Sequence, residues 1–537
     1  MPNHNVPPSA PTSGSSQESG QETVQQTGQE AVQKAVFAFL ANPATYHGAP
    51  VRRCETHAAV VFLAGDRALK VKRAVRYPFL DFSTLDRREA ACRAELDINR
   101  NFAPQLYHRV VAVTREPSGT LALDGKGEPV EWAVDMTRFD ENATLDHLAD
   151  RGALDEGLAA RLATAVAAMH ARAPVADAAA WIAAVERFIA DNTAAFRAQP
   201  DLFPAAAVDA LDAASRTALC RLRPLLAARG AAGLVRRGHG DLHLGNIAAI
   251  NGEPIAFDAL EFDPVIASGD LLYDLAFLLM DLVERGLQAA ANIVLNGYFA
   301  ATRREADDDG LAALPFFMAL RSAIRANVTA ARLAFAAADT REGIARSARR
   351  YFDLAAELLR PHRPVIVCTG GLSGTGKSML ARALAPGLAP PPGALVLRSD
   401  VARKVRHGRS EHERLTQEAY RPEVTAALYR QLTERAARIA RAGSSVIVDA
   451  MFARAEERAA IEAAAAAAGA AFHGLFLTAD LATRLERIGR RGPDASDADA
   501  AVARRQEDYA IGDLGWPLVD ASGSPQETLA KARAALA

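Results

Sequence analysis

Hydrophobic positions in the first part of the chain form short runs and then give way to long helical repeats. The runs Val60 to Leu63 and Ala68 to Val71 flank a Gly65-Asp66 turn, which predicts an antiparallel hairpin. Residues 82–102 follow a helical period. Further strands are predicted at Val110 to Val113, Thr120 to Leu123 and Trp132 to Met136. Ala- and Leu-rich helices then extend from Phe139 to about residue 360, with a loop-rich stretch near 234–265, so a small strand-rich lobe precedes a larger helical lobe.

A different pattern begins near residue 361, where "RPHRPVIVCTGG" (360–371) places prolines directly before a β-branched run. Apolar runs then alternate with helical stretches, which is typical of a parallel sheet with crossover helices. The runs are Val365 to Cys368, Ala394 to Leu397, Val446 to Val448 and Ala471 to Leu477. We therefore expect one domain of α+β class over 31–360 and one of α/β class over 361–537. Residues 1–30 are rich in Ser, Gln, Gly and Pro and are predicted to form a disordered tail.

Composition and charge exclude several classes of protein. The 537 residues are enough for at least two domains, and a formal net charge of -2 provides no global field for nucleic acid or anionic lipid. Four cysteines without a C-x-x-C pair argue against a zinc site or a disulfide framework. The most apolar stretch, Leu271 to Val283, contains Asp274 and Asp281 and is too short to span a bilayer. Because no secretory signal opens the chain either, a cytoplasmic protein without a membrane partner is predicted.

The stretch "GLSGTGKS" (371–378) matches the phosphate-binding pattern G-x-x-x-x-G-K-[ST] between a β-branched strand and a helix-forming run. Backbone N–H groups of such a loop converge on phosphate oxygens, and glycines leave that approach open. Lys377 is expected to neutralise β- and γ-phosphate oxygens, and the Ser378 hydroxyl to ligate Mg²⁺. The alternative is a Gly-rich turn that matches by chance. The predicted cofactor-binding residues here are Gly371, Ser373, Gly374, Thr375, Gly376, Lys377 and Ser378.

Two carboxylates follow predicted strands of the same region. "SVIVDAMF" places Asp449 at the end of a buried strand, where binding of a metal would explain an otherwise costly charge. "LVLRSDVARK" places Asp400 after another strand, where it is a candidate base for the attacking hydroxyl, with Arg398, Arg403 and Lys404 as cations that hold the acceptor. The alternative for each aspartate is a helix cap.

Basic residues precede a loop in "RLERIGRRGPDASDADAAVARRQ" (484–506). Arg484, Arg487 and Arg491 have the spacing of one helix face, and guanidinium groups are suited to closing over transferring phosphate oxygens, which predicts catalytic lid arginines. A solvated basic helix is the alternative. Together with the preceding motifs, the region 364–537 resembles the small P-loop kinases of the AAA-like ATP-binding and polynucleotide-kinase-like type. Pro493, inserted in the lid loop, leaves open which arginine contacts phosphate.

A second set of motifs lies in the front part of the chain. "HGDLHLGN" (239–246) has the H-x-D-x-x-x-x-N spacing of a kinase catalytic loop, in which Asp241 would receive the proton of the acceptor hydroxyl and Asn246 would reach Mg²⁺. Asp258 in "PIAFDALEFD" is predicted to be the second metal carboxylate. A zinc site at His239 and His243 is the alternative, but no thiol or further histidine stands nearby in the sequence.

A lysine and a glutamate upstream complete this order of residues. Lys70 in "ALKVKR" lies on a predicted strand, and either Glu89 or Glu95 in "LDRREAACRAEL" is expected to pair with it. Solvated surface charges are the alternative for each of these side chains. Of these residues, we predict that Lys70 and Glu89 bind the cofactor.

These front motifs resemble the aminoglycoside/choline phosphotransferase branch of the protein-kinase-like fold, over about residues 50–350. The resemblance implies that "VDMTRF" (134–139) borders the adenine, with Met136 among the cofactor-binding residues. "THAAVVFLAGDRALKVKR" and "FLDFSTLDRREAACRAELDINRNFAP" resemble the subgroup in which such a domain is fused to a P-loop kinase domain. The front lobe contains no G-x-G-x-x-G loop and no evident acidic patch for a polycationic drug, so aminoglycoside resistance does not follow from the resemblance.

The sequence thus predicts an ATP- and Mg²⁺-dependent phosphotransferase with two nucleotide sites and hydroxyl-bearing small-molecule acceptors. A polynucleotide-end kinase is one alternative: residues 361–537 carry 24 Lys and Arg against 20 Asp and Glu, yet they lack interleaved aromatic residues for stacking bases. A nucleotide-sensing regulator with one inactive half is the other, and candidate catalytic carboxylates in both halves speak against it. The acceptors and the oligomeric state do not follow from the sequence.

Overall fold

The structure is a computed structural model that describes residues 31–56, 58–77, 80–261, 265–490, 492 and 494–536. The tail predicted over 1–30 lies outside the described residues, as do Arg491 and Pro493 of the predicted lid. The chain divides into two compact units. The first contains the residues up to Asp281 together with Ala319–Ala355, and the second contains Leu282–Met318 and the residues from Ala356 onward.

A six-stranded antiparallel sheet begins the first unit, in the order β1-β2-β3-β8-β6-β7. The strands of this part of the chain are β1 Val51–Glu55, β2 Ala59–Ala64, β3 Arg67–Lys72, β4 Arg76–Tyr77, β5 Leu80–Asp81, β6 Tyr107–Arg115, β7 Leu121–Leu123 and β8 Glu128–Thr137. The predicted hairpin is confirmed, because Val60 pairs with Val71 and Leu63 with Ala68. Apolar side chains of β2, β3, β6 and β8 pack with those of helix α1 (31–40) in one core.

Helices make up most of the remainder of the first unit. Those of this part of the chain are α2 Leu85–Asn99, α3 Leu145–Asp150, α4 Glu156–Arg172, α5 Ala178–Arg197, α6 Ala205–Ala231, α7 Leu271–Glu284, α10 Leu314–Ala331 and α11 Ala338–Leu358. The loop-rich stretch contains the short strands β9 Val235–Arg237, β10 Ile247–Ile250, β11 Glu253–Ala256 and β12 Ser268–Asp270. The predicted order of a strand-rich part followed by a helical part is confirmed.

A five-stranded parallel sheet forms the centre of the second unit, in the order β14-β15-β13-β16-β17. Its strands are β13 Val365–Gly371, β14 Leu395–Arg398, β15 Val446–Asp449, β16 Ala471–Thr478 and β17 Leu518–Asp520. Its helices are α8 Gln288–Thr302, α9 Glu305–Gly310, α12 Lys377–Leu384, α13 Ser399–Arg406, α14 Pro422–Arg441, α15 Ala455–Ala467, α16 Leu481–Arg490, α17 Ala500–Arg505 and α18 Pro525–Leu536. The predicted parallel sheet is confirmed, and β15 lies beside β13, so the carboxyl ends of both strands meet at one edge.

The segment 282–318 lies in the second unit, although the sequence analysis assigned it to the front domain. Asn296 of α8 donates through Nδ2 to the carbonyl oxygen of Ala394 (3.1 Å) and accepts from the N–H of Val396 (2.8 Å). These bonds satisfy one backbone group of β14, which is one of the two edge strands of the sheet, and one of the residue just before it. The domain boundary near 361 stays a prediction, and the second unit is built from two separate stretches of sequence. Among the described residues, no helix has both the length and the apolar character that a membrane span requires.

Candidate functional site

The glycine-rich loop connects β13 to α12 in the second unit. Gly374 has a φ of +86°, and a Cβ there would lie 2.7 Å from the carbonyl oxygen of Arg484, so the loop passes directly against α16. Only glycine fits such an approach. Lys377 Nζ donates to the carbonyl oxygen of Leu372 (3.0 Å), which folds this lysine back across the loop.

A hydroxyl and a carboxylate meet at the carboxyl edge of the parallel sheet. Ser378 Oγ, in the first turn of α12, donates to Oδ2 of Asp449 at the end of β15 (2.5 Å). The Nε atom of Arg398 lies 3.5 Å from the same carboxylate oxygen. Magnesium binds hard oxygen ligands of this kind. The predicted ligands Ser378 and Asp449 are therefore adjacent, and their donor set fits Mg²⁺.

Asp400 lies in the first turn of α13 and faces the same space. Burial raises the pKa of its carboxyl above the usual range, and the neighbouring Asp449 adds to this rise while Lys377 opposes it. A raised pKa suits a group that takes a proton from a hydroxyl. Asp400, Asp449, Lys377 and Ser378 all line one cavity of about 1290 Å³.

The three cations predicted to hold an acceptor beside Asp400 are engaged with other protein groups. Arg398 donates to both carboxylate oxygens of Asp494 (3.1 and 3.0 Å), and Lys404 Nζ donates to Asp497 (3.0 Å). Arg403 donates to a backbone carbonyl (2.6 Å), and both Arg403 and Lys404 are buried. Arg398 and Lys404 thus connect β14 and α13 with Asp494 and Asp497, so their contacts differ from the predicted acceptor-binding role.

The predicted lid arginines occupy different environments. Arg484 is 1% exposed, donates to a backbone carbonyl of α17 (2.9 Å) and pairs with Glu507 (2.9 Å). Its backbone lies against Gly374 of the glycine-rich loop and its side chain is buried, whereas the prediction placed it in a lid. Arg487 lines the cavity and donates to two backbone carbonyls after β17 (2.8 and 3.0 Å). Arg491 lies outside the described residues.

In the first unit, Lys70 of β3 is held between two carboxylates. Its Nζ lies 2.8 Å from Oε1 of Glu95 and 2.6 Å from Oδ1 of Asp258. Of the two glutamates that the sequence left open, Glu95 of α2 is the partner, and Glu89 instead forms an ion pair with Arg93 one turn later (2.5 Å). The assignment of Glu89 is therefore corrected to Glu95, which lies one and a half turns further along α2 and points toward the sheet.

The predicted catalytic loop brings Asp241 and Asn246 together. Asn246 Nδ2 donates to Oδ2 and to the backbone oxygen of Asp241 (2.9 and 3.0 Å), and His243 Nε2 lies 3.5 Å from the same Oδ2. Burial by itself raises the pKa of Asp241, but His243 and Arg325 outweigh burial, and the pKa lies well below its usual range. Asp241 is thus ionised at neutral pH.

A buried carboxylate on α7 holds the backbone just before Asp241. Asp274 accepts from the N–H groups of His239 (2.9 Å) and Gly240 (3.0 Å) and from His170 Nε2 (3.2 Å). A Cβ at Gly238 would lie 2.6 Å from Asp274 Oδ2, so the loop needs glycine at this point of contact.

Burial raises the pKa of Asp274, but the hydrogen bond from His170 and the charges of His170, His239 and Arg321 together lower it to about 2.

Asp258 adopts a backbone conformation that is rare for a residue with a side chain. Its φ is +60°, and its N–H donates to the hydroxyl of Tyr107 (3.1 Å). Backbone strain of this kind concentrates at functional sites. Because Asn246 uses Nδ2 toward Asp241, its Oδ1 is an oxygen ligand of the type that Mg²⁺ prefers, as is the Asp258 carboxylate. The donor set Asn246 and Asp258 therefore fits Mg²⁺.

Met136, which the resemblance places beside the adenine, lies near the end of β8. It pairs with Ala68 of β3 and with Tyr107 of β6 and is partly buried. The preceding Asp135 is bound by Arg67 through two hydrogen bonds (2.7 and 2.9 Å), which ties β8 to β3 at this point. The adenine contact of Met136 stays a prediction.

Comparison with known proteins finds one matching family model and a relative that matches most of the chain. A family model described as an AAA domain matches residues 365–510, which include the glycine-rich loop, Asp400 and Asp449. The uncharacterized protein Rv2004c of Mycobacterium tuberculosis is 30% identical over 490 residues, which cover 89% of this chain and 94% of that protein. This chain belongs to the same family. Because the family match is longer than either compact unit, it includes parts of both.

Two solved structures are similar to parts of this chain. A choline/ethanolamine kinase family protein from Mesorhizobium loti is 16% identical with a TM-score of 0.36, covering 61% of this chain and 99% of its own. The APS kinase CysC of Mycobacterium tuberculosis, in complex with AMPPNP and APS, is 26% identical with a TM-score of 0.24, covering 33% of this chain and 99% of its own.

A second buried lysine, which was not predicted from the sequence, lies beside Lys70 and Glu95. These residues, together with Asp258, Asp241 and Asn246, are called the front site. Lys72 Nζ lies 2.6 Å from Oε2 of Glu95 and 2.5 Å from Oε1 of Glu261. Glu95 therefore bridges two lysines, and although burial raises its pKa, Lys70 and Lys72 lower it to about 2. The available signal was the spacing: residues i and i+2 of a strand point to the same face.

Proposed function

We propose that this family member is an ATP-dependent phosphotransferase with two nucleotide sites, each transferring the γ-phosphate to a hydroxyl group of a small-molecule acceptor. The observation that carries the proposal is the contact of Ser378 with Asp449 at the end of the glycine-rich loop, beside Lys377 and within the range matched by the AAA-domain model. The loop, the lysine and the oxygen ligands are the parts that a phosphoryl-transfer site requires.

The glycine-rich loop, Asp400 and Asp449 form the rear site, in which each residue has a proposed task. Backbone N–H groups of the glycine-rich loop and Lys377 would bind the phosphates, and Ser378 and Asp449 would hold Mg²⁺, which supplies neutralisation of phosphate charge when it is bound. Asp400, whose pKa is raised by burial, would take the proton of the acceptor hydroxyl. Arg487 lines the same cavity and would face the transferring phosphate.

The front site would use a different set of residues for the same chemistry. Lys70, oriented by Glu95, would bind phosphate oxygens, and Asn246 and Asp258 would hold the metal. Asp241 would accept the proton of a second acceptor. Lys70 lies 2.6 Å from Asp258, so binding of nucleotide and metal would replace this ion pair by contacts of each residue with the ligand.

A binding titration on the full chain tests whether both sites exist. With a labelled non-hydrolysable ATP analogue we expect two bound molecules for the unaltered chain, one for Lys70→Met, one for Lys377→Met and none for the double variant. Lys126→Met, which removes an exposed lysine from a loop of the front sheet, is the matched control and should bind two. A stoichiometry that neither lysine variant changes would contradict the proposal.

Transfer of γ-phosphate from labelled ATP to a metabolite extract then tests the two bases. Asp241→Asn and Asp400→Asn should each slow the formation of a different set of labelled products, by about 10²- to 10⁴-fold. A product that forms at an unchanged rate in both single variants would contradict the assignment of Asp241 and Asp400 as bases. Labelling of an added oligonucleotide that depends on Asp400 would favour the end-kinase alternative over a small-molecule acceptor.

A further inference from the structure

A side chain to which the sequence assigned no role contacts the glycine-rich loop. The N–H of Ser373 donates to Oε1 of Gln506 (2.8 Å), and Gln506 Nε2 donates to Oγ of Ser373 (3.0 Å). The orientation of the amide follows from its partners, because the backbone N–H of Ser373 has to meet an oxygen. Gln506 is 4% exposed and lies 133 residues further along the chain.

The segment that carries Gln506 is fixed on its other side by a buried arginine. Arg484 donates to the carbonyl oxygen of Ala503 (2.9 Å) and pairs with Glu507 (2.9 Å), so it binds the chain on both sides of Gln506. The backbone of Arg484 also packs against Gly374, the neighbour of Ser373. The first half of the loop, Ser373 and Gly374, is thus bounded by α16 and by the segment after α17.

These contacts distinguish two roles for Gln506. A gate would place the amide oxygen where a phosphate oxygen belongs and would have to leave when nucleotide binds. A positioning residue would hold the outer edge of the loop while Lys377 and Ser378 bind the phosphates. Gln506 is buried, bound at both ends of its amide and flanked by residues that Arg484 holds, and these features favour the positioning role.

We propose that Gln506 is a positioning residue that holds the glycine-rich loop in its phosphate-binding shape before the nucleotide arrives, and that Arg484 supports it. The inference rests on the proposed function of the rear site. Arg484 then acts on the site through the loop, and it does so without touching phosphate. A carboxylate at position 506 would still accept from Ser373 but would place a negative charge beside the phosphates.

The test measures nucleotide affinity of the rear site in the full chain, with the front site silenced by Lys70→Met. In this background, Gln506→Met keeps the side-chain volume and removes both hydrogen bonds, and we expect at least a fivefold weaker affinity for ADP and for a non-hydrolysable ATP analogue. Adenosine affinity should stay within twofold, because adenosine lacks the phosphates that the loop is proposed to bind. Gln506→Glu should weaken ADP binding further than Gln506→Met, and Gln526→Ala, at an exposed glutamine of α18, should change neither affinity.

The outcomes separate the inference from the function on which it rests. The Lys70→Met chain is the parent for these measurements. If the parent binds no ADP, or if adding Lys377→Met to the parent does not reduce the amount of bound ADP, the proposed rear site fails and the inference fails with it. If the parent binds ADP and Gln506→Met binds it equally well or more tightly, the positioning role is overturned, and tighter binding identifies a gate. If Gln506→Met melts at a much lower temperature, Ser373→Ala provides the second variant: it removes one of the two bonds, and an unchanged ADP affinity in a chain of unchanged melting temperature overturns the inference.

Discussion

Asp274 shows how one buried carboxylate prepares the front site. It accepts two backbone N–H groups directly before Asp241 and a third hydrogen bond from His170. Hydrogen bonds to an ionised acceptor are stronger than those between neutral groups. The loop that carries Asp241 is therefore held to α7 by hydrogen bonds to the backbone directly before Asp241.

We predict that Asp274→Asn destabilises the first unit by about 2 kcal/mol at neutral pH, since an amide offers one acceptor and brings a donor against a backbone N–H. The folded-state pKa of Asp274 is about 2, below the ordinary 3.8, so its contribution is present above about pH 4 and is lost as pH falls toward 2. The melting-temperature difference between the unaltered chain and the variant should therefore shrink from pH 6 to pH 3. A difference that stays constant across this range would contradict the assignment, and Asp201→Asn, at an exposed aspartate, is the control.

At the scale of elements, helix α8 covers the edge of the parallel sheet. An edge strand presents unpaired backbone groups, and proteins protect them in several ways. Here the side-chain amide of Asn296 accepts from the N–H of Val396 in β14 and donates to the carbonyl oxygen of Ala394 just before the strand. Asn292 donates to the same carbonyl oxygen of Ala394 (3.0 Å). Because β14 leads directly into Asp400, the covering of this edge also fixes the start of α13.

Asn296→Ala should expose the N–H of Val396 and speed its hydrogen exchange. Loss of the acceptor is expected to cost about 1 to 3 kcal/mol of local stability, and exchange of the peptide that contains 394–398 should rise accordingly when followed by mass spectrometry. Asn296→Asp keeps an acceptor for Val396 and loses the donor, so its exchange should be intermediate. Exchange in Asn296→Ala that matches the unaltered chain would show that these bonds do not protect the edge.

At the scale of the whole molecule, the second unit needs a stretch of sequence that precedes its sheet by many residues. Arg435 binds both carboxylate oxygens of Asp308 (2.8 and 3.0 Å), and Arg438 binds both of Asp309 (2.7 and 2.6 Å). Asp308 is only 2% exposed, and a buried carboxylate without its partner is costly. Helices α9 and α14 are thus joined by two bidentate ion pairs within one unit.

A fragment of residues 361–537 should therefore melt at a lower temperature than the same residues in the full chain. It lacks α8 and α9, so the edge of β14 and the arginines of α14 lose their partners. Circular dichroism of the fragment, with and without an added peptide of residues 282–318, measures this effect, and the peptide should raise the melting temperature. Equal melting of the fragment with and without the peptide would contradict the assignment of 282–318 to this unit.

Local patterns in the sequence predicted the main elements and the residues within each motif. The hairpin, the parallel strands, the glycine-rich loop and the catalytic loop each depend on spacings of a few residues, which periodicity and turn chemistry record directly. Asp241 and Asn246 are five positions apart in one loop. Ser378 begins the helix that follows β13, and Asp449 ends the adjacent strand β15. For these pairs, a correct local prediction also placed the partners together.

Contacts between distant stretches were decided only by the tertiary structure. Glu89 and Glu95 lie on one helix and are equivalent in pattern, and only the packing of α2 against the sheet selects Glu95. Arg484 has the spacing of a lid residue, yet burial against the loop gives it a supporting position. Gln506 and the segment 282–318 carry no local signal, because their roles arise from side-chain contacts with partners about a hundred residues away, and sequence periodicity contains no information on such distances.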